Sequence, residues 1–172
     1  MTFLFLGGVS HAQKSDNLRS LKAEDFCGFS ETQVYVGAEH TRQADYEKIA
    51  SDAIKKDNQL YGSPFSEDNS NSGCRVHNIL LVNIVINGLG QYLYSMDYDV
   101  HVYSAHGITP ETILGIKSKR PPIDFPNEFS VWHSGRIGLR ISEDDFKSYI
   151  SDVAKQQFED FLLDWRASHS VK

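Results

Sequence analysis

Asp97, Asp99 and His101 stand at alternate positions, so an extended backbone puts all three side chains on one face. Neighbouring carboxylates raise one another's proton affinity, and an imidazole beside them can share a proton or ligate a metal. Side chains at i and i+2 on a strand lie roughly 6.5–7 Å apart, so this trio coordinates an ion only with ligands from elsewhere in the chain. Taken as chemistry, the trio is the acid–base set of a small hydrolase. Taken as structure, it is the solvent-facing polar edge of a strand. Trp132-His133-Ser134-Gly135 invites a second hydrolase reading, with Ser134 as nucleophile. Adjacent strand residues point to opposite faces, however, so His133 cannot activate Ser134, and no G-x-S-x-G elbow occurs. His40, His77, His106 and His169 show neither H-x-x-x-H nor H-E-x-x-H spacing, so no metal site is predicted. Without a P-loop or a G-x-G-x-x-G segment, no nucleotide or other cofactor is predicted.

Three further groups bear on redox state and partners. Cys27 and Cys74 sit in Gly/Ser/Asn-rich surroundings without C-x-x-C spacing, which predicts one disulfide between them. Such a bond closes a long loop and contributes roughly 4 kcal/mol by chain entropy. The alternative is two free thiols in a cytosolic protein. Tyr92, Tyr94 and Tyr98 form a row, with Tyr103 near its end, that offers a ligand groove or protein contact unless helices cover it. Lys117, Lys119 and Arg120 make a basic cluster ahead of Pro121-Pro122, suited to an acidic partner or to a solvated loop.

The elements that must position these groups follow from periodicity. Gln33–Val36 reads as a short strand. A helix begins near Thr41 or Ala44, with Tyr46, Ile49, Ala50, Ala53 and Ile54 on its apolar side. Residues 61–73 are a loop by composition. Ile79–Ile86 is a nearly continuous β-branched run, the mark of a central strand. Asn87-Gly88-Leu89-Gly90 turns the chain, and Gln91–Tyr103 returns as an alternating strand. Residues 104–128 form a long connection. Phe129–Arg140 is a further strand, with Gly135 and Gly138 expected to be bulges. Ser142 and three acids open a final helix whose stripe runs from Phe146 to Trp165. The expected fold is an α+β two-layer sandwich: a mostly antiparallel sheet with two helices on one face, in the order β-α-β-β-β-α.

The chain has 172 residues, with 23 acidic against 17 basic side chains and a formal charge of −6. That balance argues against nucleic acid as a partner, because phosphate neutralisation needs clustered Lys and Arg. A hydrophobic share of 40% supports a core and excludes global disorder. No apolar run reaches the roughly 18–20 residues of a membrane span. Residues 1–12, MTFLFLGGVSHA, read as the end of a secretory signal peptide, with small residues before a cleavage point after Ala12. The alternative is a buried N-terminal strand. Residues 13–31 are expected to be a loose N-terminal segment, and 32–168 one domain. Together with the cysteines, this predicts a periplasmic or secreted protein.

From about residue 32 to 167 the chain resembles a class of small bacterial exported proteins. The shared elements are the βαβββα order, the hairpin LLVNIVINGLGQYLYSMDYDV, the strand bearing Trp132-x-x-Gly135, and a closing helix with Phe158-Glu-Asp-Phe161 and Leu162-Leu-Asp-Trp165. The layout also loosely resembles envelope assembly-factor domains, including lipopolysaccharide-assembly lipoproteins and the N-terminal domain of the Tol system's propeller protein. No cysteine ends the signal region, so no lipid anchor is expected. The resemblance rests on packing motifs and implies a fold, not an activity. The leading expectation is a non-enzymatic binding or envelope-accessory module whose partner is an envelope protein or a small ligand. The alternatives are a small hydrolase using Asp97, Asp99 and His101, and an inhibitor or immunity protein directed at a secreted enzyme.

Overall fold

A strand whose side chains alternate between apolar and polar needs a cover on one side only, and the long hairpin of this chain meets that condition. In the computed structural model, which describes residues 17–28, 30–65, 74–103 and 128–170, the hairpin is built from β3 (Val76–Ile86) and β4 (Tyr92–Tyr103). At the turn the Asn87 carboxamide oxygen accepts the backbone N–H groups of Leu89 and Gln91, and Gly90 takes φ +72°, a conformation that favours glycine. That turn pairs Ile86 with Tyr92, and the register holds to Val76 opposite Val102. Val76, Leu80, Val82 and Ile84 therefore share a buried face with Tyr92, Tyr94, Met96, Tyr98, Val100 and Val102.

The other elements build outward from this hairpin. β1 (Glu31–Val36) lies parallel to β3 and reaches it through α1 (Ala44–Leu60); β2 (Thr41–Arg42) is a two-residue antiparallel edge on β1. β5 (Glu128–Arg140) runs antiparallel to β4. Among the described residues the sheet has the order β2-β1-β3-β4-β5. α2 (Glu143–Ser170) closes the chain. The fold is thus the expected α+β sandwich, with the parallel β1–β3 pair and the short β2 as additions. β3 is central but not buried on both faces: it alternates between buried and half-buried side chains.

α2 begins as its sequence requires. The Ser142 hydroxyl accepts the Asp145 N–H at 3.2 Å, and Glu143, Asp144 and Asp145 lie against the positive end of the helix. Its 28 residues span about 42 Å. Phe146, Ile150, Val153, Phe158, Phe161 and Leu162 are buried, in contact with the sheet and α1. Two polar anchors fix its register. The Trp132 indole donates to Asp164 at 2.9 Å, and the fully buried Gln157 amide donates to the carbonyls of Met96 and Ser134.

Three expectations are corrected. The segment ahead of β1 is not loose where it is described: Leu18, Leu21 and Phe26 are at most 1% exposed, and Phe26 packs on Phe65, Phe161 and Trp165. Its polar composition masked these widely spaced anchors. Cys27 N–H donates to the Val76 carbonyl, Arg75 pairs with Asp25 at 3.2 Å, and the predicted Cys27–Cys74 disulfide closes beside them. Gly135 and Gly138 are not bulges, since they stand in register opposite Asp97 and Tyr94. The irregularity falls instead at Val131, where Val100 pairs with Trp132 but His101 pairs with Ser130. Finally, Tyr92, Tyr94 and Tyr98 are at most 8% exposed, roofed by Phe146, Tyr149 and Phe161 of α2, so they form core and not a partner-binding row.

Candidate functional site

Since the described helices lie on one side of the sheet, the opposite face carries the groups available for chemistry. Along β4 this open face presents Leu93, Ser95, Asp97, Asp99, His101 and Tyr103, as the alternation requires. β3 contributes His77 opposite His101, Ile79 opposite Asp99, and Leu81 opposite Asp97. β5 contributes His133 opposite Asp99 and Gly135 opposite Asp97.

The structure brings Asp97, Asp99 and His101 together as the spacing predicts and adds His133 and Ser130. His133 Nδ1 lies 3.0 Å from Asp99 Oδ1, with Nδ1–H as the donor, and its Nε2 lies 3.9 Å from Asp97 Oδ1. One imidazole therefore bridges two carboxylates. His101 Nε2 approaches Asp99 to 3.9 Å, and the Ser130 hydroxyl donates to Asp99 at 3.1 Å. Ser130 reaches Asp99 because of the bulge at Val131. Val131 and Trp132 both point into the core, and the extra residue turns Ser130 to the open side. The neighbours of Asp97 explain its electrostatics. Partial burial holds its carboxyl above the ordinary range, His133 opposes the shift, and the Asp99 charge adds to it.

This arrangement delimits its chemistry. Ser130 bonds to the carboxylate and not to an imidazole, so it is not an activated nucleophile. Ser134 sits on the helix side of β5, away from His133. The hydrogen-bonded imidazole–carboxylate pair is His133 with Asp99, and Asp97 stands 3.9 Å from the other ring nitrogen, at ion-pair distance only. Among the described residues, no group of three or more His, Cys, Asp or Glu side chains is arranged to hold a metal ion.

Beyond this strip the open face turns apolar. Val85, Leu93 and Leu139 form one cross-strand row, each about half exposed, and Ile137 beside them is 89% exposed. A cavity of about 240 Å³ lies at the other end, lined by Cys27, Gly28, Ser30, Glu31, His77 and Asn78. A smaller one of about 130 Å³ lies between Tyr61, Glu159, Leu162 and Arg166. Neither is lined by Asp97, Asp99 or His133.

The sequence sets His133 beside Ser134 and carries no sign of its place next to Asp99. The available signal was its place on an alternating strand, but its pairing with Asp99 depends on a register that spacing does not state. Lys117, Lys119, Arg120 and residues 1–12 lie outside the described residues. No helix among the described residues is long and apolar enough to cross a membrane. The chain matches no family model, and comparisons with curated proteins and with solved structures give no match.

Proposed function

We propose that this protein is an exported, non-enzymatic binding module that holds an envelope partner on the open face of its sheet. The observation that carries this reading is the half-covered sheet. One face is sealed by helices, while the other joins an apolar row at Val85, Leu93 and Leu139 to the His/Asp strip. Contiguous apolar surface rimmed by polar groups is the usual character of an interaction site. The Cys27–Cys74 disulfide supports export, because such bonds persist in oxidising compartments. The test is affinity purification from the native periplasm, comparing wild type with a Leu93→Glu/Leu139→Glu variant. The expected outcome is recovery of the oxidised chain with a specific envelope partner that the variant loses. Recovery from the cytosol with both thiols reduced, or a partner retained equally by the variant, overturns the reading.

A second reading is favoured by the raised proton affinity of Asp97 beside His133. It makes the strip of Asp97, Asp99, His101 and His133 the acid–base centre of a small hydrolase. Alanine at Asp97 and His133 then abolishes a screened hydrolytic activity without loss of stability; unchanged activity rejects it.

A further inference from the structure

Turns run over the surface of a protein and are normally polar. The end of the β3–β4 hairpin departs from that rule. No charged side chain occurs from Asn78 to Met96. Leu89, at the crest of the turn, is 83% exposed, and Ile141, at the same end of the sheet, is 75% exposed. Val85, Ile86, Leu93 and Leu139 stand behind them, each about half exposed. The turn also satisfies its own polar groups. The Asn87 and Gly90 N–H groups donate to the Gln91 and Asn87 carbonyls, both at 3.0 Å. Those of Leu89 and Gln91 donate to the Asn87 carboxamide oxygen at 2.9 and 3.0 Å. The Asn87 amide in turn donates to the Gln91 side-chain oxygen at 2.8 Å. Unsatisfied backbone groups are what keep irregular segments out of an apolar phase, so a turn bonded in this way loses little by leaving water.

We propose that this crest is a membrane-contact site, which inserts Leu89 and the aliphatic side chains behind it shallowly into a lipid bilayer without spanning it. Shape and composition select that occupant. Small ligands are held in concave sites, and the cavities described above are lined by other residues. Protein hot spots are enriched in Trp, Tyr and Arg and poor in Leu and Val. The exposed side chains of the crest are all Leu, Ile or Val, which suit hydrocarbon better than a protein surface.

The charges nearby select the kind of lipid. Glu143, Asp144 and Asp145 open α2 at this same end, where Ile141 N–H donates to Asp145 at 3.4 Å and Phe146 stacks on Tyr92. The arginines of β5 are engaged on the helix side, Arg140 over the Tyr149 ring and Arg136 at 3.9 Å from Asp160. The crest therefore offers no basic patch for anionic headgroups, and its contact rests on apolar burial with zwitterionic lipid sufficing. So few side chains give a reversible contact, no stronger than the ~10⁴ M⁻¹ of a single myristoyl chain.

Co-sedimentation of the full 172-residue chain with phosphatidylcholine vesicles tests the proposal. The expected result is binding that grows with lipid concentration and persists at high salt. Leu89→Asp is expected to weaken it by about tenfold or more, because a carboxylate replaces the leucine that enters the lipid. The variant keeps the wild-type circular dichroism spectrum, since Leu89 makes no part of the core. Leu163→Asp, at an exposed leucine of α2, is the control that binds like wild type. Leu89→Trp supplies a second readout: its emission shifts to the blue with vesicles and is quenched by lipid brominated on the acyl chains. Trp132 and Trp165 are buried and set the baseline. A wild type that stays in the supernatant, or a Leu89→Asp variant that sediments equally, overturns the proposal. So does an unquenched Leu89→Trp, and so does binding confined to phosphatidylglycerol vesicles and abolished by salt, which would assign the contact to charge. Pure lipid contains no protein partner, and Leu89→Asp leaves Leu93 and Leu139 intact, so this proposal and the partner-binding reading fail separately.

Discussion

Asp97 shows how a single residue's surroundings become a pH dependence. Its folded-state proton affinity exceeds that of the unfolded chain, chiefly because Ile79, Leu81 and the adjoining strands limit its contact with water. The native state therefore binds this proton more tightly, and the group costs stability once it must ionise. Stability from this source is retained at acid pH and lost as pH rises through the ordinary aspartate value, about 4, into the raised range. Asp97→Asn removes that cost. We expect the variant's thermal midpoint to gain on wild type between pH 3 and pH 7, measured by circular dichroism. A gap that narrows with rising pH would show that the attraction to His133 outweighs desolvation. The trio at 97, 99 and 101 was legible because a period of two is a property of any extended chain. The partnership with His133 was not, since residues more than thirty positions apart meet only through the β4–β5 register.

The elements show the same division. α1 is readable from its stripe and α2 from its stripe and its Ser142 cap, because helix formation is local and its buried side follows from a period of 3.6. β5 is recognisable as a strand, yet its glycines serve close approach and not bulges. Gly138 faces the helices opposite Tyr94, and a Cβ there would overlap the tyrosine hydroxyl. Tyr94 cannot easily withdraw, being 5% exposed and in contact with Phe146 and Tyr149. Gly138→Ala is therefore expected to destabilise by about 1–3 kcal/mol through overpacking, read as a lower urea midpoint. Combining it with Tyr94→Phe should recover part of the loss, because the clashing oxygen is gone. Gly88, with open space around its Cα, offers a control at which alanine meets no neighbour.

At the scale of the whole molecule, the disulfide joins the N-terminal segment to the start of β3 and so to the centre of the sheet. It spans 47 positions, and replacing both cysteines with serine is expected to cost about 2–4 kcal/mol in urea unfolding. The variant should still fold. Phe26 stays within the aromatic cluster, and the backbone bonds from Cys27 to Val76 and from Arg75 to Asp25 do not depend on sulfur. A wild type whose unfolding midpoint is unchanged by reductant would contradict this. By itself the sequence determined the layered α+β architecture, the buried side of each helix, the hairpin and the cysteine pair, because these follow from local periodicity, turn chemistry and a choice of one partner. Only the tertiary structure decided that Leu18, Leu21 and Phe26 belong to the core, that the tyrosine row is roofed, and that a bulge at Val131 delivers Ser130 to Asp99. Each of those depends on which distant residues share a register or a cavity, and contacts between remote positions are set by the packing of the whole chain.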